Sequence, residues 1–253
     1  MAVFIMIVIA AVIGFLLYMW IEAHLNKVQR IEFVLDRLPE GFNGMTLFFI
    51  SDVHRRVISD KVIQEARGEA DIVIIGGDLT EKGVPFQRVE ENIDKLLTVA
   101  PIYFVWGNND YETDFRRLDT LLHEKGVVVL DNTAARLESN GETLFFLGVD
   151  DYGLERSRLD LALADSPEGF RLLISHNPDI AQELDAGSEI PLILSGHTHG
   201  GQIRLFGWGP REKGGVKEFP GLRVFISNGY GTTSIPFRLG APAETHLITL
   251  KNK

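Results

Sequence analysis

The most constraining feature of this chain is a series of short apolar runs, each about as long as a β-strand. The runs are too continuous for a sheet with one solvated face, so we expect most of them to be buried on both faces. They are Met45–Ile50, Asp71–Ile75, Ile102–Trp106, Leu144–Leu147, Leu172–Ile174, Leu192–Leu194, Val224–Ile226 and His246–Leu250.

Helical patterns lie between several of these runs. Pro85–Thr98 has apolar residues at helical spacing behind a proline near its start. A second pattern begins at Thr113 and stops at Gly126, and a third begins at Asn177-Pro178. This alternation predicts one α/β domain, with parallel strand pairing early in the chain and some antiparallel neighbours later.

Five of the apolar runs end in side chains that can bind a metal ion. Their tails read SDVH, GGD, GNND, SHN and SGHTH, and they hold four of the seven histidines. Ligands in open α/β sheets bind at the carboxyl ends of the strands, so we expect these tails to meet at one edge. A single Asp or His after a strand is usually a cap or turn residue. Five tails in register predict a metal site, because turns do not require histidine.

The spacing within the tails suits metal binding. Asp52 and His54 are two residues apart, as are His197 and His199. Side chains at i and i+2 of an extended segment point the same way, so each pair can approach one ion or two adjacent ions. Oxygen and imidazole ligands without cysteine, which the chain lacks, suit Mn²⁺, Fe or Zn²⁺. A carboxylate between two cations about 3.5–4 Å apart is the arrangement used for phosphoryl chemistry.

Other polar residues near the runs leave the prediction unchanged. Asp150-Asp151 also follows an apolar run, and both a turn and a contact with the site remain open there. His24, His123 and His246 lie outside the pattern and are interpreted as juxtamembrane, helix-surface and strand residues.

The charge of the chain limits its partners. The formal net charge is −10, and no basic track with interleaved aromatic residues is present, which disfavours long nucleic acids as substrates. Any phosphate must therefore be attracted by a local positive field, which bound cations would supply. No feature of the sequence indicates an obligate protein partner.

The N-terminus predicts a membrane anchor. Met1–Ile21 contains no charged side chain, and about 20 apolar residues are enough to cross a bilayer core of about 30 Å. A cleaved signal peptide would need a basic start and a small-residue cleavage site, which are missing. Lys27, Arg30 and Arg37 follow the span, and the positive-inside rule then places the rest of the chain in the cytoplasm. We expect an anchor at 1–22, a juxtamembrane segment with a first strand at 23–44 and the α/β domain at 45–253.

One long segment follows the last metal-binding tail. Gly207–Gly221 is rich in glycine and proline, and loops of this length are often functional. Phe206 and Trp208 at its start can either meet an acyl chain or pack on the domain.

The ordered motifs Asp-x-His, Gly-Asp, Gly-Asn-x-Asp, Ser-His and Gly-His-x-His resemble the calcineurin-like metallophosphoesterases, from about Met45 to the C-terminus. The strings LSGHTHGGQ and ISNGYGTTSIPFRLG are similar to the YkuE/YaeI-type bacterial branch, which includes enzymes acting on UDP-diacylglucosamine. The resemblance implies a four-layer α/β/β/α sandwich of two mixed sheets, with a binuclear metal centre and a bridging hydroxide that attacks phosphorus. It also implies seven ligands to two divalent ions: Asp52, His54 and His199 on one, Asn108, His176 and His197 on the other, and Asp78 between them.

The chain departs from the family pattern at Asn109, where the family usually has histidine. Asparagine can donate a hydrogen bond but cannot supply a proton near neutral pH. The hypothesis is that this enzyme prefers leaving groups that need no proton. The candidate catalytic residues are Asn109, Asp110 and His54, and the candidate substrate-binding residues are Arg56 and Arg204.

Two classes of function follow. The first is a membrane-anchored, metal-dependent phosphohydrolase that acts on a phosphorylated small molecule, a nucleotide sugar or a lipid-linked substrate. The second is a metal-binding regulatory or binding module whose catalysis is weakened at Asn109. Retention of the whole ligand set favours the first class.

Overall fold

Two six-stranded mixed sheets form the centre of the molecule. The structure, a computed structural model, describes residues 1–184 and 187–253. The first sheet has the order β1-β12-β2-β3-β4-β5 and the second β10-β11-β9-β8-β7-β6. The strands are β1 Lys27–Leu35, β2 Thr46–Ile50, β3 Ile72–Gly76, β4 Ile102–Val105, β5 Val128–Val129, β6 Thr133–Ser139, β7 Glu142–Gly148, β8 Phe170–Ile174, β9 Leu192–Ser195, β10 Gly215–Phe219, β11 Leu222–Ile226 and β12 Glu244–Asn252.

Helices cover the outer faces of both sheets, and one helix precedes them. The helices are α1 Ala2–Ala23, α2 Asp60–Ala66, α3 Phe86–Leu97, α4 Phe115–Glu124 and α5 Leu159–Ala164. The predicted third helix after Asn177-Pro178 is a 3₁₀ segment, Pro178–Glu183. Asp114, rather than Thr113, caps α4, because its side chain accepts a hydrogen bond from the Arg117 amide.

Three apolar clusters separate four layers. The alternation of side chains along β2 shows how they arise: Phe48 and Ile50 pack toward α2, α3 and α4, while Leu47 and Phe49 pack toward the second sheet. On the far side, Phe145 and Leu147 of β7 contribute to a third cluster that includes α5. The predicted four-layer α/β/β/α class is therefore confirmed, and the strands are apolar on both faces because each face meets a packed layer.

Strand register brings the polar tails to one edge. Strands β2, β3, β4 and β5 pair in parallel, with Ile50 opposite Ile75 and Gly76 opposite Val105. In the second sheet β7, β8, β9 and β11 are also parallel. Antiparallel pairs occur at β12–β2, β6–β7 and β10–β11. The expected antiparallel neighbours therefore lie at both edges of the second sheet and, in the first sheet, where the last strand β12 pairs with β2.

Several elements were not expected from the sequence. Strands β5, β6 and β10 lie outside the predicted apolar runs, because β5 has only two residues and β6 and β10 are largely exposed or half-buried. Strand β10 also lies inside the segment predicted as a long loop. Helices α2 and α5 have seven and six residues, which is too short for a clear helical periodicity.

The apolar helix α1 is attached to the domain at its C-terminal end. It is long and apolar enough to cross a membrane, and only the residues at that end are buried by the rest of the chain. The buried Glu22 carboxylate accepts hydrogen bonds from the Gly240 amide at 3.1 and 3.2 Å. The Arg238 amide donates to the Met19 carbonyl at 3.0 Å. The orientation of α1 on the domain is thus fixed by a buried polar contact.

Candidate metal centre

The metal-binding tails adopt an unusual backbone conformation. Asp52, His54, Asp78, His197 and His199 all have positive φ, between 51° and 69°. Left-handed backbone at a residue other than glycine costs on the order of 1 kcal/mol or more and tends to occur at functional sites. Five such residues around one site show that the chain holds these side chains in place against the conformational preference of its backbone. This strain is not visible in the sequence.

The first cluster consists of Asp52, His54, Asp78 and His199. One ligand atom from each lies within 4.8 Å of the others, and all four side chains are buried. Nε2 of His54 and Nε2 of His199 are 3.1 Å apart, and the latter is 3.3 Å from Oδ1 of Asp52. Ring nitrogens and carboxylates at these distances, away from water, match the ligand separations around one divalent cation.

A second cluster shares Asp78 with the first. Oδ2 of Asp78 is 3.3 Å from Nε2 of His176 and 3.7 Å from Nε2 of His54, one histidine in each cluster. Nδ1 of His197 lies 3.2 Å from Nε2 of His176 and 3.0 Å from Oδ1 of Asn108. The structure therefore brings together all seven residues predicted as ligands, and it places the predicted bridging carboxylate between the two groups.

Neighbouring groups set the orientation of two histidines. His176 Nδ1 lies 2.9 Å from the Gly76 carbonyl, which accepts its proton and leaves Nε2 free to bind a metal. His54 Nδ1 lies 3.0 Å from Oε2 of Glu81, although the ring N–H direction does not point straight at that oxygen. Glu81 is held from its other side by Arg55. The Asp-Leu-Thr-Glu segment after β3 thus supplies Glu81 as a support for His54, which the sequence reasoning missed.

The charges of the two clusters are strongly interdependent. Burial disfavours a charged His176, but the Asp78 carboxylate outweighs burial and raises the pKa of His176 to about 10. Burial and the neighbouring His176 lower the pKa of His197 to about 4. For Asp78, burial disfavours the charged form, but His176 and His54 lower the pKa of its carboxyl group. Without a cation, a proton on His176 balances the charge of Asp78.

Asp110 lies behind the site. It is fully buried, and its carboxylate accepts hydrogen bonds from the amides of Asp78 at 2.9 Å, Thr80 at 3.0 Å and Gly107 at 3.0 Å. Burial and the nearby Asp78 raise the pKa of Asp110 to about 7. These contacts join the β3 and β4 tails. They favour a positioning role for Asp110 over the predicted catalytic role, which would need access to substrate.

Asn109, the departure from the family pattern, lies at the wall of an open cleft. Its backbone amide donates to Oδ1 of Asp78 at 2.8 Å, and its side-chain oxygen accepts from Nδ2 of Asn108 at 3.0 Å. The cleft has a volume of about 430 Å³ and is also lined by Asp78, His197 and His199. Asn109 therefore lines the same cleft as residues of both clusters.

Arg211 is a cationic residue of the cleft that the sequence reasoning missed. It lines the same cleft, and its Nη1 lies 3.1 Å from Nε2 of His197. It comes from the long Gly/Pro-rich segment, whose length was the only signal in the sequence. A second missed arginine, Arg238, is buried behind the site and donates to the His199 carbonyl at 3.1 Å and to the Ala241 carbonyl at 2.8 Å.

The two arginines predicted to bind substrate have other partners in the structure. Arg56 stacks on the Tyr230 ring at 3.6 Å and donates to Asn26 Oδ1 at 2.8 Å. Arg204 donates to the carbonyls of Gly200 at 2.9 Å and Gly207 at 2.7 Å. Their substrate-binding role stays a prediction, and these contacts weigh against it because both guanidinium groups are already engaged.

Asp150 and Asp151 have structural partners. Asp150 accepts a hydrogen bond from the Tyr111 hydroxyl at 2.8 Å and pairs with Nε of Arg156 at 2.7 Å. Asp151 accepts from the Leu154 amide at 2.8 Å, as a turn residue does. Of the two readings left open by the sequence, the turn is the one these contacts support.

Comparison with known proteins agrees with this geometry. The family model described as calcineurin-like phosphoesterase matches residues 45–201. The chain is 43% identical to the uncharacterized protein YpbG of Bacillus subtilis, over 92% of this chain and 90% of that protein. It is 31% identical to a zebrafish protein named as a transmembrane protein with a metallophosphoesterase domain, over 89% of this chain and 57% of that one.

Solved structures share the fold at low sequence identity. The sulfate thiohydrolase SoxB of Thermus thermophilus superposes with a TM-score of 0.54 at 16% identity, over 86% of this chain and 58% of that one. A phosphopantetheinyl hydrolase of Mycobacterium tuberculosis gives a TM-score of 0.51 at 14% identity, over 73% of this chain and 89% of that one. With the matched family model and the buried Asp/His cluster, the chain belongs to the calcineurin-like phosphoesterases and is a metal-dependent hydrolase.

Proposed function

We propose that this protein is a membrane-anchored hydrolase that cleaves a phosphoester or phosphoanhydride bond at a centre of two divalent metal ions. The observation that supports two ions best is the position of Asp78, whose Oδ2 lies between His54 of one cluster and His176 of the other. Seven oxygen and imidazole ligands without thiolate fit Mn²⁺, Fe or Zn²⁺. A pair of such ions, if held by these residues, would act as a Lewis acid toward the phosphoryl oxygens and would lower the pKa of a nucleophilic water.

Residues in and behind the cleft would bind the substrate and support the ligands. Arg211 is placed to donate hydrogen bonds to a phosphoryl oxygen that reaches the His197 side of the cleft. Asn109 would donate a hydrogen bond to the substrate from its side-chain amide nitrogen, but it cannot protonate a leaving group. His54 would act as a ligand supported by Glu81, and Asp110 would hold the two tails in register.

The anchored arrangement supports a substrate close to a membrane. Helix α1 is long and apolar enough to span a bilayer, and the zebrafish relative carries the word transmembrane in its name. We therefore propose an anchor at residues 1–22 and a catalytic domain at 45–253, joined by a segment that contributes β1. Basic residues after the span favour the cytoplasmic side. A lipid-linked or nucleotide-sugar phosphate fits this location.

The second candidate, a metal-binding module with weak catalysis, depends only on Asn109. An assay of the full chain in detergent with Mn²⁺ separates the two. We expect turnover of bis(p-nitrophenyl) phosphate or p-nitrophenyl phosphate, with a loss of about 10²–10³-fold in Asp78→Ala because the shared carboxylate is removed. Asp94→Ala, which removes only an exposed partner of Lys125, should keep full activity. Mn²⁺ binding without turnover of either ester would favour the binding module.

The leaving group should decide the effect of Asn109. In Asn109→His we expect the hydrolysis rate of an alkyl phosphoester, which has a poor leaving group, to rise by about 10²-fold, because a general acid is introduced. Hydrolysis of a p-nitrophenyl ester should change much less, since p-nitrophenolate needs no proton. The exposed Asn43→His is the control for an added histidine. Equal acceleration of both esters would contradict the idea that Asn109 selects leaving groups.

Glu81 should support metal binding through His54. Glu81→Gln keeps the shape of the side chain but removes the charge facing His54 Nδ1, so we expect metal affinity to fall by about 10–100-fold. Isothermal titration with Mn²⁺ measures this directly. Glu90→Gln removes a carboxylate that pairs only at the surface with Lys125 and should leave affinity unchanged. Equal affinities of Glu81→Gln and the unmodified chain would show that Glu81 does not support the ligand.

Metal binding should release protons. Because the folded, metal-free pKa of His176 is raised to about 10, that ring is protonated at neutral pH and must lose its proton to bind a cation. We therefore expect apparent affinity for Mn²⁺ to rise with pH between about 7 and 10, with at least one proton released per protein near pH 8. Titration calorimetry in buffers of different ionisation enthalpy counts the protons. A binding enthalpy that is the same in all buffers would contradict this.

A further inference from the structure

An apolar tip stands beside the cleft. It consists of Leu205, Phe206, Trp208 and Ile235, whose relative exposures are 56%, 107%, 76% and 47%. Leu205 and Trp208 exchange backbone hydrogen bonds of 2.9 Å, which holds Phe206 at the end of a tight turn with φ of 53°. Large apolar side chains exposed in neighbouring positions are typical of a contact surface.

The tip lies next to the base of α1. Arg204, which precedes the tip, donates from its amide to the Leu239 carbonyl at 2.8 Å. Arg238, which precedes Leu239, donates from its backbone amide to the Met19 carbonyl of α1 at 3.0 Å. Two further bonds, from Gln202 to the carbonyls of Thr233 and Ile235, join the two loops of the tip. Consecutive residues span at most about 3.6 Å each, so the tip begins within a few residues of the point where α1 leaves the domain.

Buried and hydrogen-bonded contacts join α1 to the domain. Glu22 of α1 is buried and hydrogen-bonded to the Gly240 amide. Arg56 links Asn26, just after α1, to Tyr230 of the segment that leads into the tip. Exposed Tyr18 and Trp20 lie on the last turns of α1, where aromatic residues sit at a membrane surface. Once α1 spans a bilayer, the tip is held beside the same surface.

The charge around the tip differs from that of the chain. Residues 204–213, which contain the turn of the tip, carry Arg204, Arg211 and Lys213 against one acidic residue, Glu212, in a chain of net charge −10. Apolar and aromatic side chains combined with Lys and Arg are typical of segments that lie in the interface of a membrane with anionic lipids.

We propose that the tip inserts into the headgroup–acyl boundary of the bilayer that α1 spans, so that the cleft opens at headgroup depth. Ile235 belongs to the tip and also lines the cleft together with Arg211, which makes the two continuous. The substrate class is then an amphiphile whose phosphate enters the cleft while its apolar part stays in the membrane. This inference rests on the proposed anchoring, and its test is independent of catalysis.

Tryptophan fluorescence tests the insertion. The three tryptophans are exposed Trp20 of α1, buried Trp106 and Trp208 of the tip. The full chain is placed in nanodiscs of phosphatidylcholine and phosphatidylglycerol whose acyl chains carry bromine near the glycerol. The difference in emission between Trp20→Phe and Trp20→Phe/Trp208→Phe gives the emission of Trp208. The emission of Trp208→Phe reports on Trp20. We expect the bromines to quench about half or more of the Trp208 emission, because the ring lies at that depth.

The outcomes separate the inference from the proposed function. Quenching of Trp20 without Trp208 overturns the insertion and leaves the anchored hydrolase standing. Quenching of neither overturns both the anchor and the insertion.

A second measurement uses Phe206→Ser/Trp208→Ser, residues that do not line the cleft. We expect about a tenfold loss in hydrolysis of a long-chain alkyl p-nitrophenyl phosphate in vesicles and an unchanged rate for soluble bis(p-nitrophenyl) phosphate. If the double variant and the unmodified chain hydrolyse the alkyl ester at equal rates, the inference is also overturned.

Discussion

The site depends on the backbone and side chain of Asp78. Its carbonyl accepts hydrogen bonds from the amides of Val53 at 2.8 Å and His54 at 3.2 Å, which fixes the tail of β2. Its carboxylate accepts from the amide of Asn109 and faces a histidine of each cluster. Gly107 is required beside it, because a Cβ there would overlap the Asp78 amide and carboxylate. One residue in left-handed conformation thus aligns three strand ends.

This arrangement is costly to fold without cations. The carboxylates of Asp52 and Asp78 are removed from water, and burying charge is unfavourable unless it is compensated. Protonated histidine compensates part of it, as the raised pKa of His176 shows. Divalent cations would compensate more, since each replaces a proton by two positive charges. The packed sheets on either side supply the stability that keeps five strained residues in place.

The sequence was informative where the chemistry follows a regular element. The apolar runs predicted the strands that end at the site, and the Asp, Asn and His that follow them predicted which side chains would meet, because parallel strands end at one edge. Residues outside the strand tails were missed, since their roles depend on tertiary contacts. Glu81 supports His54 through a turn, Arg211 reaches the cleft from a long segment, and Arg238 is buried behind His199. Arg56 looked available in the sequence but is engaged by Tyr230 and Asn26.

The same segments connect the metal clusters to α1. Arg238 donates through its guanidinium to the His199 carbonyl and through its backbone amide to Met19, so one buried residue joins a ligand-bearing tail to the helix base. Its burial lowers the pKa of Arg238 to about 10, which still leaves it charged at neutral pH. Its guanidinium donates to carbonyl oxygens such as those of Ala241 and Gly231, and the nearby Asp52 and Glu244 carboxylates also favour its charged form. The position of the cleft relative to α1 is therefore set by the core of the domain and not by a flexible linker.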